Sequence, residues 1–167
     1  MVKKDTYESI RGIFFQTPSK HFHAREIARM VGVSHPIASK YLKSLEKENI
    51  IEPTEYGYKA KPSAEYKMEK RFDTAARIQR CGLLDKLTES SMPSAVVLFG
   101  SASRGEDDEG SDIDIFIEGQ EKKTDLRPYE KKMGRKINIT YGRLNKLNKE
   151  FLESVINGIL LYGGIRI

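Results

Sequence analysis

The sequence predicts an α+β protein of two modules, on three observations. Residues 1–62 show helical spacing of apolar residues followed by two short strand-like runs. Residues 93–167 alternate β-branched apolar runs with helical stretches. The net positive charge lies wholly in the first part: residues 1–72 carry 14 Lys and Arg against 9 Asp and Glu, while residues 73–167 carry 15 of each. A basic module beside a neutral one points to a polyanion-binding domain joined to a domain of different function.

The elements follow in order. Tyr7, Ile10, Ile13 and Phe14 have helical spacing, and Pro18 ends that helix. Residues 24–31 form a short helix with Ile27 and Val31 four apart, and Gly32 marks a turn. Ser34 is a good N-cap, Pro36 is tolerated in a first turn, and a helix runs on to about Glu48. Ala38, Tyr41, Leu42 and Leu45 are its apolar stripe. Asn49 stands where a left-handed closing residue is wanted. Residues 50–53 and 56–60 read as two strands around a turn. Residues 63–92, between Pro62 and Pro93, read as a helical linker that Gly82 divides. Beyond it, 94–99, 112–118, 136–141 and 159–162 read as strands and 149–157 as a helix. That mixture in so short a stretch predicts a small α+β sheet domain.

Composition narrows the function classes. The chain has 167 residues, 38% hydrophobic and 32% charged, which describes a folded, water-soluble protein. No apolar run approaches the roughly 20 residues of a membrane helix, and the opening MVKKD leads into no apolar signal core. No membrane partner and a cytoplasmic location are therefore expected. One cysteine, Cys81, allows no intramolecular disulfide, and with three histidines it argues against a structural zinc site.

The segment HAREIARMVGVSHPIASKYLKSLEKENIIEP resembles the winged helix-turn-helix domains of bacterial and archaeal transcription regulators, over about residues 5–62. The resemblance rests on the helix, the glycine turn, the Ser-capped second helix and the hairpin. If Ala38, Leu42 and Leu45 face inward, the opposite face carries His35, Pro36, Ser39, Lys40 and Lys43. Such a helix fits the major groove of double-stranded DNA, with Lys40 and Lys43 mainly meeting phosphates. Lys59 and Lys61, on or just past the hairpin, are further candidates for phosphate contact. Modules of this kind commonly pair on two-fold sites, so a homodimer is expected. A docking or dimerisation module that never touches DNA is the alternative.

The segment LFGSASRGEDDEGSDIDIFIE resembles the signature of the polymerase-beta-like nucleotidyltransferase superfamily in its minimal single-domain form, over about residues 93–167. The pattern is a hydrophobic strand, Gly100-Ser101, ten intervening residues and then Asp112 and Asp114. Gly100 lets the backbone turn sharply and approach a ligand. Ser101 offers a hydroxyl, and the amides that open the next helix point at bound phosphates. Asp112 and Asp114 are two apart on a strand, so both carboxylates face one side and suit a hard cation, above all magnesium bridging nucleotide phosphates. Arg104, in the loop, is placed to neutralise phosphate charge or to sit solvated on the surface. The acidic run 106–109 is expected to be a mobile, solvated stretch.

The resemblance implies a third carboxylate on a later strand. The matching stretch is KINITYG, where Asn138 lies between Ile137 and Ile139. Asparagine keeps a carbonyl oxygen but loses a negative charge and cannot accept a proton. Asp112, Asp114 and Asn138 are therefore the expected catalytic positions, with Asp112 and Asp114 as Mg2+ ligands and Gly100, Ser101 and Arg104 on the nucleotide phosphates. The leading expectation is nucleotidyl transfer from Mg–NTP to a protein or small-molecule acceptor. Minimal members often act as antitoxins, so the resemblance suggests a partner toxin as one such acceptor. The competing expectation is a DNA-binding transcriptional regulator whose weakened transferase domain senses nucleotide. A scaffold with neither activity is the third.

Overall fold

The computed structural model describes residues 6–166. Their contacts divide the chain into two compact units, residues 1–70 and 71–167.

The first unit is built from α1 (Thr6–Gln16), α2 (Ala24–Val31), α3 (His35–Lys47) and a hairpin of β1 (Ile51–Thr54) and β2 (Gly57–Ala60). The opening turns of α4 (Ala64–Arg80) complete it. Ile10 and Phe14 of α1, Ile27 of α2, Ala38, Leu42 and Leu45 of α3, and Ile51 of β1 share one buried core. The apolar stripe of α3 thus faces inward, and only Tyr41 of the expected four stays partly exposed. Gly32, at φ 76°, closes α2. Ser34 occupies the N-cap of α3 with extended backbone, but its hydroxyl makes no capping hydrogen bond, so position alone fits the expectation. Asn49, at φ 59°, ends α3 in the left-handed conformation.

The hairpin pairs Glu52 with Lys59 and Thr54 with Gly57. Phe22 joins it as a third, single-residue strand, with reciprocal 2.9 Å bonds between its backbone and that of Tyr58. Gly57 makes this closure possible. Its φ is 113°, and a Cβ there would lie 2.6 Å from the Phe22 carbonyl oxygen.

The second unit holds the rest of α4, then α5 (Leu83–Ser91), β3 (Ala95–Phe99), α6 (Gly100–Arg104), β4 (Ile113–Glu118), α7 (Arg127–Met133), β5 (Ile137–Gly142), a 3-10 turn (Leu144–Lys146), α8 (Lys149–Ile156) and β6 (Ile159–Gly163). Gly82, at φ 84°, separates α4 from α5 as expected. The helix expected after the Gly-Ser turn is α6, which begins at Gly100 itself, and α7 carries Pro128 in its first turn, where proline is tolerated.

The four strands form one mixed sheet in the order β5-β4-β3-β6, with β3 antiparallel to β4 and β6 and β4 parallel to β5. Each face has its own core. Ile113, Ile115 and Ile117 of β4 point to the face covered by Ile78, Leu83, Leu87 and Met133. Phe116 and Val97 point to the other, where Leu144 and Val155 cover them. This alternation, the period-2 geometry of a strand, gives a helix–sheet–helix layering. No helix among the described residues is long and apolar enough to cross a membrane.

The Gly57 contact generates the first prediction. Gly57→Ala should destabilise the first unit by about 1–3 kcal/mol, because it forces an L-residue into a disfavoured region and drives a methyl group into backbone. Equilibrium urea unfolding measures it. An unchanged midpoint would show that the hairpin shifts off Phe22 without cost.

Candidate functional site

The registers place three residues in a row across the sheet: Phe99 on β3 opposite Asp114 on β4, and Asp114 opposite Asn138 on β5. Strand alternation puts Asp114 on the same face as Phe116, away from the Ile113–Ile117 side. Asp112 shares that parity but precedes β4, which begins at Ile113 rather than at the expected Asp112.

Asp112, Asp114 and Asn138 are thereby brought together. The Asn138 Nδ2 amide donates to Asp112 Oδ2 at 3.0 Å and to Asp114 Oδ1 at 3.2 Å. One oxygen of each carboxylate thus points at a single N–H-bearing atom. The arrangement opens to solvent, with Asp112 and Asn138 exposed and Asp114 half-buried. Among the described residues, no third Asp, Glu, His or Cys completes a cluster with the pair. Glu130, the nearest acidic residue in sequence before β5, is engaged elsewhere: it accepts the Ile137 N–H at 3.1 Å.

Gly100 meets the same centre from β3. It has φ 73°, and a Cβ there would stand 2.6 Å from Asp114 Oδ2. The close backbone approach anticipated for a ligand is here an approach to a carboxylate. Ser101 lies half-buried in α6. Arg104 closes α6 rather than lying in a loop, and its Nε donates to Glu106 at 2.9 Å, so in this state it serves a neighbouring acid.

The stretch 106–109 differs from its expectation as a solvated run. Asp107 is 3% exposed and its carboxylate pairs with Arg135. Asp108 accepts from the Ser111 hydroxyl at 2.7 Å and the Gly110 N–H at 3.0 Å. Those bonds, the Ser111 hydroxyl first, hold the Asp108 carboxyl below its ordinary pKa. They favour its charged form, so the stabilisation is present above the ordinary carboxylate range and is lost as pH falls through the lowered value. Arg135 was not singled out in the sequence. An arginine after a glycine carries no motif, and only the fold shows it reaching back 28 residues.

On the first unit, His35, Pro36, Lys40 and Lys43 are exposed on α3 and Ser39 partly so. Pro36, Ser39, Lys40, Lys43, Ser44 and Lys47 line one shallow depression. The Ser39 hydroxyl lies 3.5 Å from His35 Nε2. Arg25 and Arg29 of α2 line a second depression with His23, Glu26 and His35, two arginines that the helix-by-helix sequence reading did not single out. Lys59 sits across the hairpin from Glu52 in an ion pair of 3.3 Å, and Lys61 donates to Asn49 Oδ1 at 2.8 Å. Both hairpin lysines are therefore engaged within the unit.

Residues 83–164 match the family model described as polymerase beta, nucleotidyltransferase, which supports the nucleotidyltransferase superfamily for this domain and, at that level, a transferase. The mixed sheet with helices on both faces is consistent with that fold. No curated protein matches the chain.

The Gly100 geometry yields a direct test. Gly100→Ala should cost about 1–2 kcal/mol from the left-handed backbone and push the Asp114 carboxylate away from Asn138. The Asn138 side-chain amide resonances in an 15N spectrum report that movement. If they stay where they are in the parent protein, Asp114 is not displaced.

Proposed function

We propose that the second unit transfers a nucleotidyl group from a magnesium-bound nucleoside triphosphate to an acceptor hydroxyl. One observation carries this reading: the two aspartate oxygens converging on Asn138 Nδ2 beside the close-approaching Gly100. The donor set fits a hard cation. Two carboxylates of different residues point oxygens at one place, where the partial positive charge of an amide now sits, and an amide turned over offers its own oxygen.

Asp112 and Asp114 would hold the magnesium, with Asn138 at the third position. When bound, the ion supplies charge neutralisation on the phosphates during in-line displacement. Gly100, against Asp114, and Ser101 next to it in α6 would form the phosphate-binding turn, with Arg104 released from Glu106 to neutralise charge. The acceptor oxygen forms a bond to the α-phosphorus, the α–β phosphoanhydride bond breaks, and pyrophosphate leaves. The acceptor proton passes to solvent, because Asn138 cannot take it.

Turnover should therefore be slow. Asn138→Asp adds a carboxylate and a proton acceptor at nearly constant volume. Label transfer from α-labelled NTP should rise at least tenfold, at the cautious end of the about 10²–10⁴ for a general base. Asp112→Asn and Asp114→Asn should each abolish Mg-dependent NTP binding. Equal NTP affinity in the parent, both variants and EDTA would remove this site from consideration. A protein of host lysate that takes up label, a partner toxin among the candidates, would identify the acceptor.

A second reading is favoured by Asn138 together with the basic face of α3: a regulator whose transferase domain binds nucleotide without turning it over. In either reading we propose that the first unit acts as a winged helix-turn-helix on double-stranded DNA, as a homodimer on two-fold sites. His35 and Ser39 lie at the base-facing end, and Lys40 and Lys43 lie along the phosphates. Lys59 would join them only by leaving Glu52. Binding to duplex DNA should weaken steeply with salt, and Lys40→Ala should reduce the salt slope by about one. Affinity indifferent to salt would end the DNA reading. An Asn138→Asp variant as inert in transfer as the parent, yet still binding nucleotide, would select the sensing regulator over the enzyme.

A further inference from the structure

The two aspartates of the site are held by different means. Asp114 lies inside β4, where antiparallel pairing to Phe99 on one side and parallel pairing to Asn138 on the other fix its backbone. Asp112 lies before the first paired residue of β4, so no sheet ladder includes it. A carboxylate on unpaired backbone wanders unless something else ties that backbone down.

Arg135 supplies the tie. It stands between the end of α7 and the start of β5, three residues before Asn138. Its Nε donates to the Ser111 carbonyl at 2.6 Å and its Nη2 to the Asp112 carbonyl at 3.1 Å. Its Nη1 meets the buried Asp107 carboxylate. The guanidinium side chain is only 10% exposed and that of Asp107 1%. One planar fork therefore binds two successive carbonyls and is oriented by a buried carboxylate at its third nitrogen. Only arginine has this donor geometry; lysine offers a single point charge. The end of α7 is itself anchored, since Arg77 Nη2 donates to the Met133 carbonyl at 2.8 Å.

We propose that Arg135 is the positioning residue for Asp112, holding its backbone so that its carboxylate meets the same ligand as Asp114. This rests on the reading of Asp112 and Asp114 as a cation site and adds a residue that acts on that site without touching the ligand. The proposal has a definite sign. A guanidinium close to a cation site opposes cation binding by Coulomb's law, so removing it for charge reasons alone would tighten binding. Loss of positioning does the opposite, and residues that orient metal ligands typically contribute about 10–100-fold in affinity.

The test uses Mn2+ alone as probe, with free ion followed by its electron paramagnetic resonance signal, on the full chain at a temperature where each variant is folded. Thermal unfolding is recorded in parallel. Arg135→Met should weaken Mn2+ binding at least tenfold. Arg135→Lys keeps a charge for Asp107 but not the fork, so it should recover much of the unfolding temperature while binding stays weak. Asp112→Asn combined with Arg135→Met should bind no more weakly than Asp112→Asn alone, because Arg135 acts through Asp112. Should Arg135→Met not fold, Arg135→Lys carries the test.

Affinity at or above that of the parent in the folded Arg135 variants overturns the proposal. So does a double variant weakened by the full product of the two single effects. A parent protein that binds Mn2+ no better than Asp112→Asn overturns the cation-site reading as well. Loss of binding in Asp112→Asn with no loss in the Arg135 variants leaves that reading standing and removes only the role of Arg135.

Discussion

Two carboxylates on one sheet face repel each other, and the parallel register of β4 on β5 sets what answers that repulsion. Asp114 lies opposite Asn138, whose amide donates to it and to Asp112 together. A slip of one residue would turn Asp114 toward the packed isoleucine side and Asn138 out of reach of both acids. The apolar residues between them prevent it. Ile113, Ile115 and Ile117 are wholly buried, and exposing them would cost far more than one hydrogen bond contributes. The hydrophobic core of one face thus holds the polar chemistry of the other in register.

The same logic explains how the site is shared among elements. β3 ends at Phe99 and turns at Gly100, which only a residue without a Cβ allows so close to Asp114. The loop after α6 turns inward through Asp107 and outward again through the Asp108 turn, delivering Asp112 to the start of β4. Burying the Asp107 carboxylate carries a desolvation penalty, offset by the Arg135 pair. Arg135 also donates to the carbonyls of Ser111 and Asp112, which precede the first ladder pair of β4, so a single side chain closes the gap between loop and strand.

Asn138 gives this centre a chemistry of its own. With an amide at the third position, each aspartate has a side-chain donor beside it. A third carboxylate there would leave three like charges unneutralised. That difference follows from one donor replacing one acceptor.

Much was legible from the sequence because it rests on local rules. The apolar stripe of α3, the left-handed Asn49, the Gly82 break and the alternating strands are set by neighbours within a few residues. The Gly-Ser turn with Asp112 and Asp114, and KINITYG as the strand that carries the third position, came instead from the resemblance to the nucleotidyltransferase signature. The hairpin strand added by Phe22 and the shortness of β4 at its Asp112 end were not readable, because each depends on pairing with distant backbone. Nor was the acidic run at 106–109 distinguishable from a solvated loop. Whether a carboxylate there is buried depends on a cation 28 residues away, and composition carries no record of that distance. The sequence by itself determined which residues have the donors, acceptors and charges for this chemistry. The tertiary structure alone decided which of them meet, because hydrogen bonds and ion pairs between distant residues form only after the isoleucine face has packed and brought the strands into register.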